Sequence, residues 1–504
     1  MREDQPPVRA AGREAARGTL AMPPSTNRLH MPMIRWGRLL PCPAGSWTAV
    51  MAFAALIAGG CEGSRASLTP CLIAGVHEVA QCGTILVYEN RTTRSGRRIP
   101  LRVVVLPGRQ NPAGRDPVVF LTGGPGMAAT GDADFAARIF ARLHDHRDIV
   151  LVDQRGTGHS MPLECHLYDD GSLQSYVSPM FPVERVRACR RALEPVADLT
   201  QYTTARAADD LADVLATLGY AKANIVGISY GSRAALVFLR RHPERTRTVV
   251  VQAVLPPDKI AMAASARGAT LALDSAIAVC AKIPACQRSA PSPRRDIDTL
   301  LARLRASPAT VTLWNWRRLR HETVTITARS FAERVFFMLY APGMARSILP
   351  LIHEAAHGDW APFARAVIAQ SRSQRSGRSI GMMLSVLCTD DAPRLAGADT
   401  ARLAVGNPLG FPVAYELLAA CAEWPRGLPG DTTPVVSSVP VLLLSGARDP
   451  VTPPDWADSA AATLSRSVRL VDSAAGHGMM TAALDTVVAN FIIYQHGVAA
   501  DAAR

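Results

Sequence analysis

Asn224-Ile225-Val226-Gly227-Ile228-Ser229-Tyr230-Gly231-Ser232 is the stretch from which the rest of the chain can be read. Ile225 and Val226 favour a strand. Ala234-Ala235-Leu236-Val237-Phe238-Leu239 continues as a helix that stops near His242-Pro243. Between them lies Gly-x-Ser-x-Gly. A serine on so sharp a strand-to-helix turn is held in a strained backbone conformation, with its hydroxyl pushed out above the sheet. Gly227 and Gly231 leave room for the crossing. The helix N-terminus then lies under the serine, where free N–H groups and the helix dipole stabilise negative charge.

The surrounding chain supplies the sheet that this turn needs. Thr84 to Glu89 and Leu101 to Leu106 read as strands, joined through the turn Arg94-Ser95-Gly96-Arg97. Val118-Val119-Phe120-Leu121 ends in Thr122-Gly123-Gly124-Pro125-Gly126. Ile149-Val150-Leu151-Val152 ends in Asp153-Gln154-Arg155-Gly156-Thr157-Gly158-His159-Ser160. Such unalternating apolar runs suit parallel strands buried on both faces. Ala205 to Leu218 predicts a helix, with Leu211, Val214, Leu215 and Leu218 at helical spacing; Thr248-Val249-Val250-Val251 predicts a further strand. The alternation of strand and helix predicts a doubly wound, mostly parallel α/β sheet.

The character changes near Pro256. Residues 258–405 are rich in alanine and arginine and mainly helical in pattern, with only Thr310 to Leu313 and Thr323 to Ile326 strand-like. This predicts a mainly helical cap inserted into the core. The core is expected over 62–257 and again over 406–504, where Val441 to Ser445 and Ser467 to Val471 read as strands and 479–494 as a last helix.

The first 61 residues read as a leader. Arg35 and Arg38 precede an apolar stretch, Trp47 to Ala58, that is too short for a comfortable membrane span. Ala58-Gly59-Gly60-Cys61 resembles a lipoprotein box, in which Cys61 would carry the lipid; Ala58 departs from the usual leucine or valine. A signal-peptidase site after Ser64-Arg65-Ala66 is the alternative. Residues 1–30 are polar and arginine-rich, so Met31 or Met33 is the expected start. Either way the mature protein is expected to be exported: periplasmic, envelope-anchored or secreted. Eight cysteines lie beyond the leader, an even count that favours disulfides in an exported chain. They allow about a hundred pairings. Sequence-local pairing, 71–82, 165–189, 280–286 and 388–421, is the simplest. None has metal-ligand spacing. The net charge of +13 comes almost wholly from arginine, spread without a dense basic run or interleaved aromatics, which argues against nucleic acid as a partner.

A nucleophilic serine needs a base and an orienting acid. In sheets of this kind the acid follows the serine in the chain and the histidine comes last. Asp449, in Gly446-Ala447-Arg448-Asp449-Pro450, follows the strand at 441–445; His477, in Ala475-Gly476-His477-Gly478, follows the last strand. Loops at the C-terminal ends of strands are where such sheets place working residues. Ser229, Asp449 and His477 are therefore the expected triad: His477 takes the serine proton and returns it to the leaving group, while Asp449 fixes the histidine tautomer. The Tyr230 N–H is one expected oxyanion donor. The glycine loop supplies the other, with Gly124 favoured, Gly123 in reserve and Pro125 excluded for want of an N–H. No cofactor is called for.

Gly123-Gly124-Pro125-Gly126, Asp153 to Ser160, the helix before Leu218-Gly219-Tyr220, and Gly227 to Ser232 together resemble the proline iminopeptidase and tripeptidyl aminopeptidase group of α/β-hydrolase serine exopeptidases. Residues 425–495, with Asp449 and His477, resemble the C-terminal part of secreted tripeptidyl aminopeptidases. The resemblance covers most of residues 75–495, loosely in the cap. Thr122 departs from it, standing where many relatives have histidine. The resemblance implies an α/β-hydrolase fold and removal of short N-terminal units, aminoacyl to tripeptidyl, from peptides with a free amine. It also implies cap carboxylates that bind that amine. Cys388-Thr389-Asp390-Asp391 is similar to the segment concerned, which makes Asp390 and Asp391 the candidate anchor, though the group usually has glutamate there. An esterase or amidase with the same triad is the alternative.

His353-Glu354-Ala355-Ala356-His357 fits the two-histidine helix of zinc peptidases. The extended form needs glycine and a third histidine where Trp360 and Phe363 stand, so the match is read as coincidence. His144 and His146 are read as part of a solvated loop before a strand.

Overall fold

The computed structural model describes residues 68–494 apart from 111–115, 169–170, 264, 376, 398–406, 408, 411 and 479–481. The leader, with Cys61, lies outside the described residues, as does the start of the last helix, described from Ala482 to Tyr494.

The strands, in chain order, are β1 (Thr69–Cys71), β2 (Ala80–Tyr88), β3 (Arg98–Leu106), β4 (Val118–Leu121), β5 (Ile149–Val152), β6 (Ala223–Ile228) and β7 (Thr246–Gln252). They continue with β8 (Ala309–Asn315), β9 (Arg320–Ile326), β10 (Val441–Gly446) and β11 (Ser467–Asp472). Nine of them form one sheet in the order β1-β2-β3-β5-β4-β6-β7-β10-β11. β1, β2 and β3 make an antiparallel edge, and β3 joins β5 antiparallel. From β5 to β11 all pairings are parallel. This is the expected doubly wound sheet. β1 was not expected; it is three residues long and pairs with β2 beside the Cys71–Cys82 disulfide.

The central strands are apolar because both faces are covered. All residues of β4, β5 and β10 are buried. Alternate side chains serve opposite faces. Val119, Val150 and Ile225 pack with Leu211, Leu215 and Phe238 of two helices, Thr204–Leu218 and Tyr230–Arg241. Val118, Phe120 and Val226 pack on the other face with Phe140 and Phe491. The helix Thr204–Leu218 starts where the Thr203 side chain accepts from Arg206 N–H and stops where Gly219 turns left-handed at φ +84°.

The Asp153 to Ser160 motif locks the core. Arg155 is fully buried and paired: Nε and Nη2 donate to the Asp210 carboxylate at 2.7 and 2.8 Å, and Nη1 donates to the carbonyls of Glu89 and Gln201 at 2.8 and 2.9 Å. The Asp153 carboxylate accepts from Thr130 and from His159 N–H. His144 corrects the sequence reading. It closes a short helix, Ala141–His144, and is completely buried, with Nε2 3.0 Å from the Pro107 carbonyl.

Between β7 and β10 run helices from Ser265–Ala281 to Pro412–Ala422, interrupted by the β8–β9 hairpin. They have an apolar core of their own around Leu273, Leu300, Phe331, Val335 and Ile348. The disulfides are Cys71–Cys82, Cys165–Cys189, Cys280–Cys286 and Cys388–Cys421, the sequence-local set. The last one ties Ile380–Asp390 to Pro412–Ala422.

Candidate active site

Ser229 ends β6 at φ +59° and ψ −121°, a conformation that L-residues rarely hold. The sharp crossing makes two glycines obligatory. A Cβ on Gly227 would stand 2.1 Å from the Gly231 carbonyl oxygen, and one on Gly231 would stand 2.0 Å from that of Leu121. Hydrogen bonds keep the strained turn in place. Ser229 N–H donates to Gln252 O at 2.9 Å, and Ser232 N–H donates to Ser229 O at 2.9 Å.

Asp449 follows β10 and is 4% exposed. Its Oδ1 accepts from the N–H groups of Val451 and Thr452 at 2.8 and 2.9 Å. Its Oδ2 accepts the Thr452 hydroxyl at 2.6 Å and lies 2.8 Å from His477 Nδ1. Burial alone would raise the pKa of this carboxyl. The facing His477 and the hydrogen bonds outweigh burial and hold it below the ordinary aspartate value. Asp449 therefore stays ionised and orders the proton of the ring onto Nδ1. His477 Nε2, 2.8 Å from Ser229 Oγ, is left free to accept the serine proton. His477 N–H donates to the Tyr340 carbonyl at 2.9 Å, and the Tyr340 ring packs edge-on against the imidazole at 5.2 Å between centroids.

The glycine loop comes alongside because β4 pairs with β6, Leu121 opposite Gly227. A Cβ on Gly123 would stand 3.3 Å from both the Ile228 carbonyl oxygen and Ser229 Cβ, a tight approach that glycine avoids. Among the described residues, the N–H groups of Gly123, Gly124 and Tyr230 have no acceptor within the chain. Free donors beside a nucleophile are what an oxyanion requires. The Thr122 hydroxyl, where many relatives have histidine, hydrogen-bonds to Asp132 behind the loop.

Ser229 and His477 open into a cavity of about 320 Å³. The core contributes the glycine loop. The facing wall is mostly apolar, with Phe336, Phe337, Tyr340, Met383, Leu387 and Leu417, and it also carries Gln374 and Arg378. No carboxylate lines the cavity among the described residues. Asp390 and Asp391 are not brought to it, which corrects their expected role. Asp391 is completely buried, and its carboxylate accepts from Arg233 Nη1 and Nη2 at 2.8 and 3.1 Å and from Ala261 N–H at 3.0 Å. Asp390 accepts the Thr204 hydroxyl at 2.7 Å, and that hydroxyl lies 3.2 Å from the Tyr230 hydroxyl. Both acids therefore brace the helix that starts at Tyr230. Burial raises the pKa of Asp390, more than the nearby Arg233 lowers it.

The two histidines at 353 and 357 are held by other partners. His353 Nδ1 lies 2.8 Å from Asp296 Oδ2, and His357 Nδ1–H donates to the His353 carbonyl at 2.8 Å. Among the described residues no three His, Cys, Asp or Glu side chains cluster as metal ligands. Thr452, Tyr340 and Arg378 are site residues that the sequence reading missed. Thr452 had a signal, three residues after Asp449 in a proline-containing turn. The other two reach the cavity from the helical region, where the motif pattern stops.

A strand-turn-helix serine with histidine and aspartate at two further strand ends defines the class: the chain has the α/β-hydrolase fold. Residues 116–329 match the family model described as alpha/beta hydrolase fold, and residues 408–500 match the one described as TAP-like protein. The resemblance read from the motifs is thus met. Over 196 residues the chain is 28% identical to the tripeptidyl aminopeptidase of Streptomyces lividans, a stretch covering 36% of each chain. Over 144 residues it is 32% identical to a proline iminopeptidase of Xylella fastidiosa, covering 29% of this chain and 34% of that one. The chain spans about a third of the length of the curated relatives it matches. The crystal structure of a proline iminopeptidase from Mycobacterium smegmatis aligns with 83% of this chain and 100% of its own, at 16% identity and a TM-score of 0.39.

Proposed function

We propose that the protein is an exported serine hydrolase, an exopeptidase that cleaves short N-terminal units, aminoacyl to tripeptidyl, from peptides through an acyl-enzyme on Ser229. The observation that carries this reading is the relay itself, Ser229 Oγ to His477 Nε2 at 2.8 Å and His477 Nδ1 to Asp449 at 2.8 Å. Ser229 Oγ attacks the carbonyl carbon as His477 takes its proton. The oxyanion is met by the Tyr230 N–H and by the glycine loop. Collapse expels the leaving amine or alcohol, which receives the proton from His477. Water, deprotonated in turn by His477, then frees the acyl group. The peptide class comes from the relatives, whose names are those of peptidases that act at N-termini. Four disulfides support export.

An esterase or amidase is the second reading, favoured by a cavity wall that carries no carboxylate among the described residues. Chromophore release from free aminoacyl, dipeptidyl and tripeptidyl amides, their N-acetylated forms and a short acyl ester separates the two. Turnover confined to free-amine substrates is expected of the exopeptidase. Equal or better turnover of N-acetylated amides or of the ester transfers the site to the second reading.

A further inference from the structure

The cavity beside Ser229 carries a cation with no counter-charge among the described residues. Arg378 lines it, on the link between the helices Ala361–Arg375 and Ile380–Asp390. The link is pinned to the glycine loop beside Ser229. Arg378 forms an isolated antiparallel bridge with Met127, and Ser379 N–H donates to the Gly126 carbonyl at 2.9 Å. A Cβ on Gly126 would stand 3.3 Å from Arg378 Cγ and 2.6 Å from the Ser379 carbonyl oxygen, so the two backbones lie in close contact. The arginine is thus fixed by the same loop that holds the oxyanion donors.

The fully buried arginines among the described residues are paired, Arg155 with Asp210, Arg233 with Asp391 and Arg334 with Glu333. Among the described residues Arg378 has no hydrogen-bond acceptor and no carboxylate partner, and its Nε is buried without a partner. The titratable groups that face it are the neutral phenols of Tyr340 and Tyr168, and burial lowers its pKa. A guanidinium nevertheless stays charged in any protein environment. The cleft on the far side of Arg378 is also cationic, with Arg317 and Arg372; its one carboxylate among the described residues, Glu164, accepts the Ser379 hydroxyl at 2.8 Å. Arg378 is half-buried, with its Nε enclosed; a guanidinium so placed, with no carboxylate partner among the described residues, is only partly compensated, and its planar fork matches a carboxylate.

We propose that Arg378 binds a carboxylate of the substrate, making this a hydrolase for acid-bearing amides or esters. The proposal rests on Ser229 being the nucleophile. In a peptide the carboxylate belongs to an acidic side chain or to the C-terminus; in general it lies on the acyl part or on the leaving group.

Two matched pairs separate these sources. For the acyl part, mono-4-nitrophenyl glutarate is compared with 4-nitrophenyl valerate. For the leaving group, 3-acetoxybenzoate is compared with its methyl ester. The protein should favour the charged member of one pair by about 10-fold or more in kcat/KM. In Arg378→Gln that ratio should fall to about one, and Arg378→Lys should recover part of it, a pattern that a merely structural role does not give. Labelling of Ser229 by a neutral fluorophosphonate in both variants checks that the site is folded. If Ser229 labels in the unaltered protein and neither pair favours its charged member, or if the ratio survives in Arg378→Gln, the proposal is overturned. Failure of Ser229 to label at all would instead overturn the serine-hydrolase reading beneath it.

Discussion

The two sides of the cavity are built differently. On the core side each reacting group is over-determined. Ser229 sits on a strained turn closed by two obligatory glycines, and Asp449 accepts three hydrogen bonds before it meets His477. On the helical side the wall is mostly apolar, with Gln374 and Arg378 as polar members, and the Arg378 guanidinium has no carboxylate partner among the described residues. Even the acids of that side are turned inward. Asp391 and Asp390 brace the helix that follows Ser229, and among the described residues no anion lines the cavity. The core side fixes the chemistry in advance, and the helical side leaves its charge for a ligand to complete.

Substitutions sharpen this contrast when taken from the largest expected effect to the smallest. Ser229→Ala removes the proposed nucleophile and should lower kcat by roughly 10⁵-fold or more with the fold intact by circular dichroism. Undiminished turnover there would break the core half of the comparison. Asp449→Asn keeps the shape but loses the charge that orders the His477 tautomer; kcat should fall by roughly 10⁴-fold. Asp391→Ala tests the bracing role. It leaves Arg233 buried without its counter-charge, so stability should drop by about 3–5 kcal/mol in denaturant melts. A loss of substrate affinity with unchanged stability would return Asp391 to the role of amine anchor.

The smallest effect lies far from the cavity. Burial would raise the Asp209 pKa, but hydrogen bonds from His242 and Arg241 outweigh it and bring it down to about 2. Its unfolded value is about 3.9, so its contribution is full above about pH 4 and is lost as pH falls towards 2. Asp209→Asn should therefore lower stability at pH 7 by on the order of 1 kcal/mol, with solvent screening allowed for. The difference from the unaltered protein should vanish near pH 2; a difference independent of pH would show that the aspartate acts through packing.

The same contrast governs what could be read from the sequence. The sheet was legible because its central strands are unbroken apolar runs, and the grouping of Ser229, Asp449 and His477 because each lies within two residues of a glycine or proline after a strand. The disulfides followed from proximity in the chain. The helical side was not legible. Asp390 and Asp391 show their charge in the sequence but not their partners, since Arg233 lies 158 positions away on another helix. Arg378 stands among arginines that look alike in the sequence, and its lack of a counter-charge exists only in three dimensions. His144 looked like loop polarity and is buried because its neighbours form a turn of helix against the Pro107 carbonyl.

The most direct test of the account is to trap the covalent intermediate. The protein is mixed with a slowly turned-over acyl ester, quenched in acid during steady state and examined by intact mass and peptide mapping. The account predicts one added acyl group, carried by Ser229 and absent from Ser229→Ala. Turnover with Ser229 unmodified, or an acyl group on another residue that survives in Ser229→Ala, would contradict it.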